Sequence, residues 1–180
     1  ASDTIGYCDS LSFSSVVHDG SPLVYSWLPS TGLDNSSVLS PVLQPVSLTD
    51  GAHPYTLVVT DKYGCMRDTT LTVTIDSISV YTVADDSIGY CRQKQLTSVV
   101  DDGSPASYSW TPTDGISDTS ALSPIVDGRQ LLDGVYTYTL EVTDIYGCTA
   151  SDMVNIEVDS ISVETISDTS IGFCHVITLA

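Results

Sequence analysis

The sequence predicts an all-β protein made of tandem β-sandwich domains arranged head to tail. Ser and Thr account for 48 of the 180 residues, and Val, Ile and Tyr are frequent, which is a composition typical of strands. The sequence also repeats itself with a period of 83 residues. Apolar and polar residues alternate in several short runs, and no run of ten or more residues has helical periodicity. Together these observations favour strands throughout.

The internal repeat covers almost the whole chain. Residues 1–83 align with residues 84–166 without a gap, at 40 identical positions. A third copy opens at residue 167, where SDTSIGFC matches the ASDTIGYC of residues 1–8. Tandem duplication predicts an array of similar units rather than one globule. The third copy is too short to fold alone, so either the natural chain continues or this tail adds strands to a neighbouring molecule.

An early strand in each repeat is expected to carry its core anchors. In the first copy a turn at residues 19–22 leads into a strand, and Pro29 ends that strand because proline cannot donate to the sheet. The second copy repeats this pattern. The predicted core anchors are Tyr25, Trp27, Tyr108 and Trp110.

Two neighbouring strands are predicted near the end of each repeat. Tyr55, Leu57 and Val59 alternate with outward-facing positions, and the second copy keeps the alternation. One outward position is Val in the first copy and Glu in the second, so it faces water. Residues 71–75 alternate in the same way. Between the two runs, a glycine-containing turn at residues 61–65 predicts a hairpin.

The boundary between domains is expected at Asp76. After Ile75 the apolar residues change parity, and Ile78 and Val80 carry the apolar face. Residues 77–83 are therefore predicted to open the next domain as its first strand. About seven short strands per repeat indicate an Ig-like sandwich. The predicted domains are residues 1–76, residues 77–159 and an incomplete third repeat at residues 160–180.

The repeated motifs resemble a known family. YSW at residues 25–27 and 108–110, and YTLxVTDxYGC at 55–65 and 138–148, are similar to the polycystic-kidney-disease (PKD) type of Ig-like domain. The closest likeness is to the cysteine-containing repeats of large bacterial surface proteins. The resemblance implies spacers, stalks and adhesive repeats. The chain lacks the WDFGDG stretch of the standard domain, since Leu and Pro follow Trp27.

The five cysteines, in a chain rich in Ser, Thr and Asp, suggest an oxidising extracellular setting. Three pairings respect the repeat: within a domain (Cys8 with Cys65), consecutive (Cys65 with Cys91), or across domains (Cys8 with Cys148). Head-to-tail stacking would bring Cys8 toward Cys148, since the exit end of one domain meets the start of the next. Each pairing leaves at least one cysteine without a partner in this chain, which points to a missing segment or a partner molecule. The candidate disulfide residues are Cys8, Cys65, Cys91, Cys148 and Cys174.

The net charge and the first residues of the sequence indicate which partners and which cellular location to expect. A net charge of −18 argues against nucleic acid and against an anionic membrane surface. No run approaches the length of a membrane span. The first residues lack the regions of a signal peptide, so either one has been removed or the chain is a segment of a longer protein. We expect an extracellular or cell-surface location, with copies of this chain or further repeats of it as partners.

Modification sites are suggested by short motifs. Several Asp-Ser/Thr-aliphatic triplets look like the O-glycosylation signature of some of the bacteria that carry such surface repeats, and Asn35-Ser36-Ser37 fits an N-glycosylation sequon. The expected glycoprotein sites are Thr4, Asn35, Ser77, Ser87 and Ser160.

We expect a structural segment of an extracellular filament or adhesin stalk, without catalysis, because no set of catalytic residues recurs. Alternatives are a module that binds surface glycans through exposed tyrosines, or junctions made rigid by calcium, which prefers several oxygen ligands. No other cofactor is expected. The candidate sugar-stacking residues are Tyr7, Tyr63, Tyr81, Tyr90 and Tyr146. The weak calcium candidates are Asp76, Asp85, Asp86, Asp159 and Asp168.

Overall fold

The computed structural model describes residues 2–18, 21–101 and 103–164. It confirms an all-β, Ig-like fold: the regular elements of the described residues are β-strands and two three-residue 3-10 helices, Pro45–Ser47 and Gly128–Gln130. The strands are β1 (Ser2–Gly6), β2 (Leu11–Ser12), β3 (Pro22–Leu28), β4 (Val42–Leu43), β5 (Gly51–Asp61), β6 (Met66–Asp76), β7 (Ser79–Thr82), β8 (Asp86–Gly89), β9 (Gln93–Gln95), β10 (Ser98–Asp101), β11 (Pro105–Thr111), β12 (Ile125–Asp127), β13 (Gly134–Asp144) and β14 (Thr149–Asp159).

The first repeat forms a four-stranded sheet in the order β1-β6-β5-β3. Strand β1 runs parallel to β6, while β5 pairs antiparallel with both β6 and β3. A short antiparallel pair, β2 with β4, belongs to the opposite layer. The alternation predicted for β5 is confirmed, because its inward residues lie in the core. The buried residues of this first core are Phe13, Trp27, Leu43, Tyr55, Leu57, Val73 and Ile75.

The second repeat builds the same sheet from the equivalent strands, in the order β11-β13-β14-β8. Strand β9 pairs with β12, as β2 does with β4. The second repeat also has the antiparallel pair β10 with β7. In the first repeat, residues 15–18, which are the equivalents of β10, are not assigned to a strand. The core of the second repeat is larger and includes Val80 from β7 and Ile78, which precedes that strand.

The predicted hairpin turns are present in both repeats. Gly64 has φ 86° and Gly147 has φ 85°, a region that glycine enters without steric cost. Each turn is closed by the aspartate that precedes it. In the second repeat, Oδ1 of Asp144 accepts hydrogen bonds from the backbone N–H groups of Tyr146 and Cys148, each at 2.8 Å. These turns place Cys65 and Cys148 at equivalent corners of the two repeats.

Candidate functional site

The two repeats are joined by a disulfide between Cys8 and Cys148. The sulfurs are 2.02 Å apart and the Cα atoms 5.6 Å apart, although 140 residues separate the cysteines in sequence. Cys8 follows β1 and Cys148 precedes β14, so the bond links the two repeats. Of the pairings that the sequence leaves open, the structure contains the cross-domain one.

The other two pairing schemes are wrong in this structure. Cys65 and Cys91 are unpaired and exposed, so Cys65 joins neither Cys8 nor Cys91. The cause is geometric: Cys65 lies at the corner of the first repeat that corresponds to the Cys148 corner of the second. Cys174 lies outside the described residues.

The disulfide belongs to a packed junction. The hydroxyl of Tyr7 donates to the backbone carbonyl of Thr149 at 2.7 Å, and the backbone N–H of Cys8 lies 3.2 Å from Sγ of Cys148. Tyr7 also packs against both hydrophobic cores. Cys148 is consequently buried, with 1 % of its surface exposed. Tyr7 and Tyr146 are therefore not fully exposed platforms for sugars, because the junction partly covers them.

The connecting segment is held by a side-chain contact that repeats with the sequence. Oδ1 of Asp50 accepts hydrogen bonds from the backbone N–H and the hydroxyl of Ser77, at 2.9 and 3.3 Å. Asp133 makes the same two contacts with Ser160, at 2.9 and 3.4 Å. The chain therefore leaves both repeats through the same hydrogen-bonded turn.

The predicted core anchors differ in their burial. Trp27 and Trp110 are each 1 % exposed, and their indole N–H groups donate to backbone carbonyls at 3.0 Å. Tyr25 and Tyr108 are only half-buried and pack at the edges of the cores.

The fully buried tyrosines of the two cores are Tyr55 and Tyr138. Their hydroxyls donate to the backbone carbonyls of Thr31 and Asp114, each at 2.8 Å. Burial raises the pKa of Tyr138 to about 12 and also raises the pKa of Tyr55. The inward alternation of β5 and β13 indicates the rings, but no local motif indicates their hydrogen-bond partners.

Two of the aspartates considered for calcium bind other groups of the protein. Asp85 accepts from the backbone and side chain of Asn155, which lowers its pKa. Asp86 pairs with Lys94, and this hydrogen bond lowers the pKa of Asp86. In the described ranges, no group of three or more His, Cys, Asp or Glu side chains could hold a metal ion. Asp168 lies outside those ranges.

The glycosylation candidates lie on the surface or at the connecting turns. Thr4, Asn35 and Ser87 are exposed. Ser77 and Ser160 are the two serines that contact Asp50 and Asp133. Of the tyrosines considered for sugars, the most exposed are Tyr63, Tyr81 and Tyr90.

An open groove runs along the first repeat, and the sequence patterns did not reveal it. Its volume is about 970 Å³, and it lies between residues 11–18 and the inner face of the sheet. Phe13, Leu57, Val59 and Leu71 supply apolar walls.

Comparison with known proteins defines the class of the fold. The Ig1–Ig2 fragment in the crystal structure of DIP-gamma aligns with a TM-score of 0.50 and 11 % identity, over 87 % of this chain and 92 % of that chain. Modules described as fibronectin(III)-like, from Clostridium thermocellum CbhA, align with a TM-score of 0.37 and 12 % identity, over 94 % of this chain and 96 % of that chain. The alignment with DIP-gamma, together with the sheet topology described above, shows that the chain has the fold of Ig-like β-sandwiches.

The more specific resemblance is confirmed for the second repeat. Residues 93–158 match the family model described as the K319L-like PKD domain. The solution structure of the PKD domain from the KIAA 1837 protein aligns at 23 % identity with a TM-score of 0.39, over 49 % of this chain and 92 % of that chain. A search of curated proteins finds no significant match. Within the described ranges, no helix is both long and apolar enough to cross a bilayer.

Proposed function

We propose that this chain is a structural repeat segment of an extracellular filament or cell-surface adhesin stalk. The observation that carries the proposal is the disulfide between Cys8 and Cys148, which fixes one repeat to the next at a packed junction. A covalent bond between successive domains limits their relative motion, which suits a load-bearing or spacing role. The proposed structural units are residues 1–76 and 77–159, with residues 160–180 opening a third.

The repetition of the junction chemistry supports the same role. The contact of Asp50 with Ser77 recurs as Asp133 with Ser160. In the second repeat, Cys91 is the equivalent of Cys8, and it is exposed. Further repeats could therefore be joined by the same hydrogen bonds and the same cysteine position that join the first two repeats.

The location that fits this role is outside the cell. Domain-linking disulfides persist in oxidising compartments, and a net charge of −18 keeps repeated domains soluble at high density. The exposed Thr4 and Ser87 would carry glycans. No catalytic role is proposed, because no set of catalytic residues recurs in the repeats.

Immunogold labelling of cells that produce the chain tests this function. Antibodies against the folded 180-residue protein should label filaments or stalks at the cell surface. Labelling confined to the cytoplasm would contradict the proposal. Peptide mapping of the native material without reduction should recover Cys8 linked to Cys148.

Glycan binding and calcium binding are predictions with separate tests. The exposed Tyr63, Tyr81 and Tyr90 make a glycan array the direct assay for sugars, and an array without signals would exclude the sugars it carries. For calcium, a melting temperature that chelation leaves unchanged would exclude a stabilising ion.

A further inference from the structure

The two cysteines of the junction disulfide differ in their access to solvent. Cys148 is 1 % exposed, whereas Cys8 is exposed. The bond lies inside the chain, between the first and the second repeat, and the structure describes residues of both repeats around it. Which sulfur of a disulfide a thiol attacks depends on access. A reagent in solution therefore reaches Cys8 and not Cys148.

A surface hollow of about 380 Å³ opens beside Cys8. Residues 7–10 of the first repeat form one side of it, and residues 44–46, which follow β4, form the other. Cys8 is part of the wall and Cys148 is not. The volume falls within the range of small-molecule sites, about 300–1,000 Å³. A small molecule in the hollow would thus lie against one cysteine of the disulfide only.

The wall of the hollow indicates which small molecules fit. Of the described residues that line it, Asp9 is the one with a charged side chain. Ser10 and Gln44 offer hydrogen-bonding groups, and Val46 offers an apolar surface that is 78 % exposed. The chain as a whole has a net charge of −18. A negative local potential repels anions and attracts cations, so the hollow favours molecules without a negative charge.

The surroundings of Cys148 suit the sulfur that leaves when Cys8 is attacked. The backbone N–H of Cys8 donates toward Sγ of Cys148 at 3.2 Å. A hydrogen bond to the charged form of a group favours that form, so this N–H stabilises negative charge on the departing sulfur. The junction therefore combines an open point of attack with a buried leaving sulfur that has a donor.

The carboxylate of Asp144 opposes the departure of that sulfur. Asp144 is 2 % exposed, and its Oδ1 accepts a hydrogen bond from the backbone N–H of Cys148 at 2.8 Å. Its Oδ2 has no hydrogen-bond partner among the described residues. Two negative charges close together, away from water, repel each other strongly. Asp144 therefore slows the opening of the disulfide without blocking access to Cys8.

We propose that Cys8 is a site of reversible S-thiolation, at which a small thiol without negative charge opens the junction disulfide. The thiolate of the small molecule forms a new S–S bond with Sγ of Cys8. The bond between Cys8 and Cys148 breaks, its electron pair leaves on Sγ of Cys148, and that thiolate takes one proton from solvent. One disulfide replaces another, so the step needs no oxidant or reductant besides the thiol.

The contacts around Tyr7 make the modification reversible. Its hydroxyl donates to the carbonyl of Thr149 at 2.7 Å, and its ring packs against both hydrophobic cores. Neither contact involves a sulfur, so both hold the repeats together when the disulfide is open. The thiolate of Cys148 then attacks Cys8 and expels the small thiol. The covalent link is opened and closed while the two repeats stay docked.

The first test maps which sulfur takes up the thiol. The oxidised 180-residue protein, with its free thiols blocked by iodoacetamide, is treated with cysteamine and trapped with N-ethylmaleimide. Peptide mapping should find cysteamine on Cys8 and maleimide on Cys148. Cysteamine on Cys148, or equally on both, would overturn the proposal. So would a disulfide that cysteamine opens in urea-unfolded protein but not in folded protein.

Reversal is measured on the same material without the maleimide trap. After free cysteamine is removed in the absence of an oxidant, the bond between Cys8 and Cys148 should re-form and release one cysteamine per chain. A mixed disulfide that persists on Cys8 would overturn reversibility.

The second test varies the charge of the thiol. Cationic cysteamine should open the junction about fivefold faster than anionic 2-mercaptoethanesulfonate. Each rate is first divided by the rate of the same thiol with the uncharged bis(2-hydroxyethyl) disulfide. The difference should shrink in about 1 M salt, where the screening length is about 3 Å. Equal normalised rates at low salt would overturn the preference assigned to the hollow.

The third test removes the charge beside the leaving sulfur. Asp144→Asn should speed opening by cysteamine about fivefold, because the departing thiolate no longer faces a carboxylate. Asp61→Asn is the matched control and should open like wild type. Asp61 makes the same contacts in the first repeat, with the backbone N–H groups of Tyr63 and Cys65, at 2.8 and 2.9 Å.

The site of attack separates a charge effect from a loosened turn. In Asp144→Asn, cysteamine should still be found on Cys8, whereas cysteamine on Cys148 or an unchanged rate would overturn the role of Asp144. If this variant misfolds, the mapping and the charge series on wild-type protein still decide the proposal. None of these measurements depends on a filament, so their failure is distinguishable from failure of the surface labelling.

Discussion

A Cβ atom placed on Gly6 would lie 2.6 Å from Sγ of Cys148, so the backbone of the first repeat approaches the disulfide sulfur of the second. The same Cβ would lie 2.7 Å from Cβ of Tyr146. Gly89 occupies the same position in the second repeat, where the nearest atom, on Arg92, is 3.9 Å away. The lack of a side chain at Gly6 is therefore a requirement of the junction.

The substitution Gly6→Ala should loosen the junction. The added methyl group overlaps a sulfur and a neighbouring side chain, and overpacking of this kind costs about 1–3 kcal/mol. Urea unfolding of the oxidised protein measures the loss. Gly89→Ala is the matched control and should be close to wild type, because its Cβ would make only an ordinary contact with Arg92. Equal losses in both variants would show that the contact at Gly6 is not responsible.

Removal of the disulfide should lower stability substantially. Cys8→Ser opens a covalent link that spans 140 residues, and closing so large a loop contributes about 2–5 kcal/mol. The check is the urea midpoint, which should fall in Cys8→Ser and in reduced wild-type protein alike. Cys91→Ser alters the equivalent, unpaired cysteine and should leave the midpoint of the monomer unchanged. A midpoint for Cys8→Ser equal to that of oxidised wild type would refute this assignment.

The local patterns of the sequence account for much of the fold. The alternation in β5 and β13 predicts Tyr55 and Tyr138 as inward residues, and both are fully buried. The glycines at 64 and 147 mark the hairpin turns correctly. These features succeed because each depends on residues close together in the chain.

The long-range features are harder to predict. The sequence leaves the partner of Cys8 open, since the choice depends on how two domains meet. The groove also cannot be predicted from the local sequence. Val59 and Val142 are equivalent valines in the same alternating pattern, yet only Val142 is fully buried. Its burial depends on a strand supplied from outside residues 84–166, which no local periodicity records.

The contact between Asp152 and Thr82 should make the attachment of β7 sensitive to acid. The backbone N–H of Thr82 donates to the Asp152 carboxylate and lowers its pKa. A lowered pKa in the folded state gives stability that is present above the unfolded value of about 3.9 and is lost as pH falls through the folded pKa. Asp152→Asn keeps an acceptor but removes the charge.

At neutral pH, Asp152→Asn should therefore cost about 1 kcal/mol, a modest value because solvent reaches the carboxylate. The difference from wild type should vanish at low pH, as urea unfolding over a pH series would show. Glu157→Gln neutralises an exposed carboxylate on the same strand and serves as the control. A penalty for Asp152→Asn that is independent of pH would contradict the role of its charge.

The buried hydroxyl of Tyr138 should make the second repeat sensitive to alkali. Burial raises the pKa of Tyr138 to about 12, so the folded state favours the neutral phenol. The resulting stability is fully present below the unfolded pKa of about 10 and is lost as pH rises through the folded value. Tyr138→Phe should cost about 0.5–1.5 kcal/mol at neutral pH, because the carbonyl of Asp114 loses its donor. The substitution should also remove part of the loss in unfolding free energy at alkaline pH. Urea unfolding over a pH series measures this loss, and tyrosinate absorbance follows the titration. The control is Tyr63→Phe, at a residue that is 79 % exposed, and it should lose stability at alkaline pH as wild type does. If Tyr138→Phe also loses stability as wild type does, the buried hydroxyl of Tyr138 is not the cause.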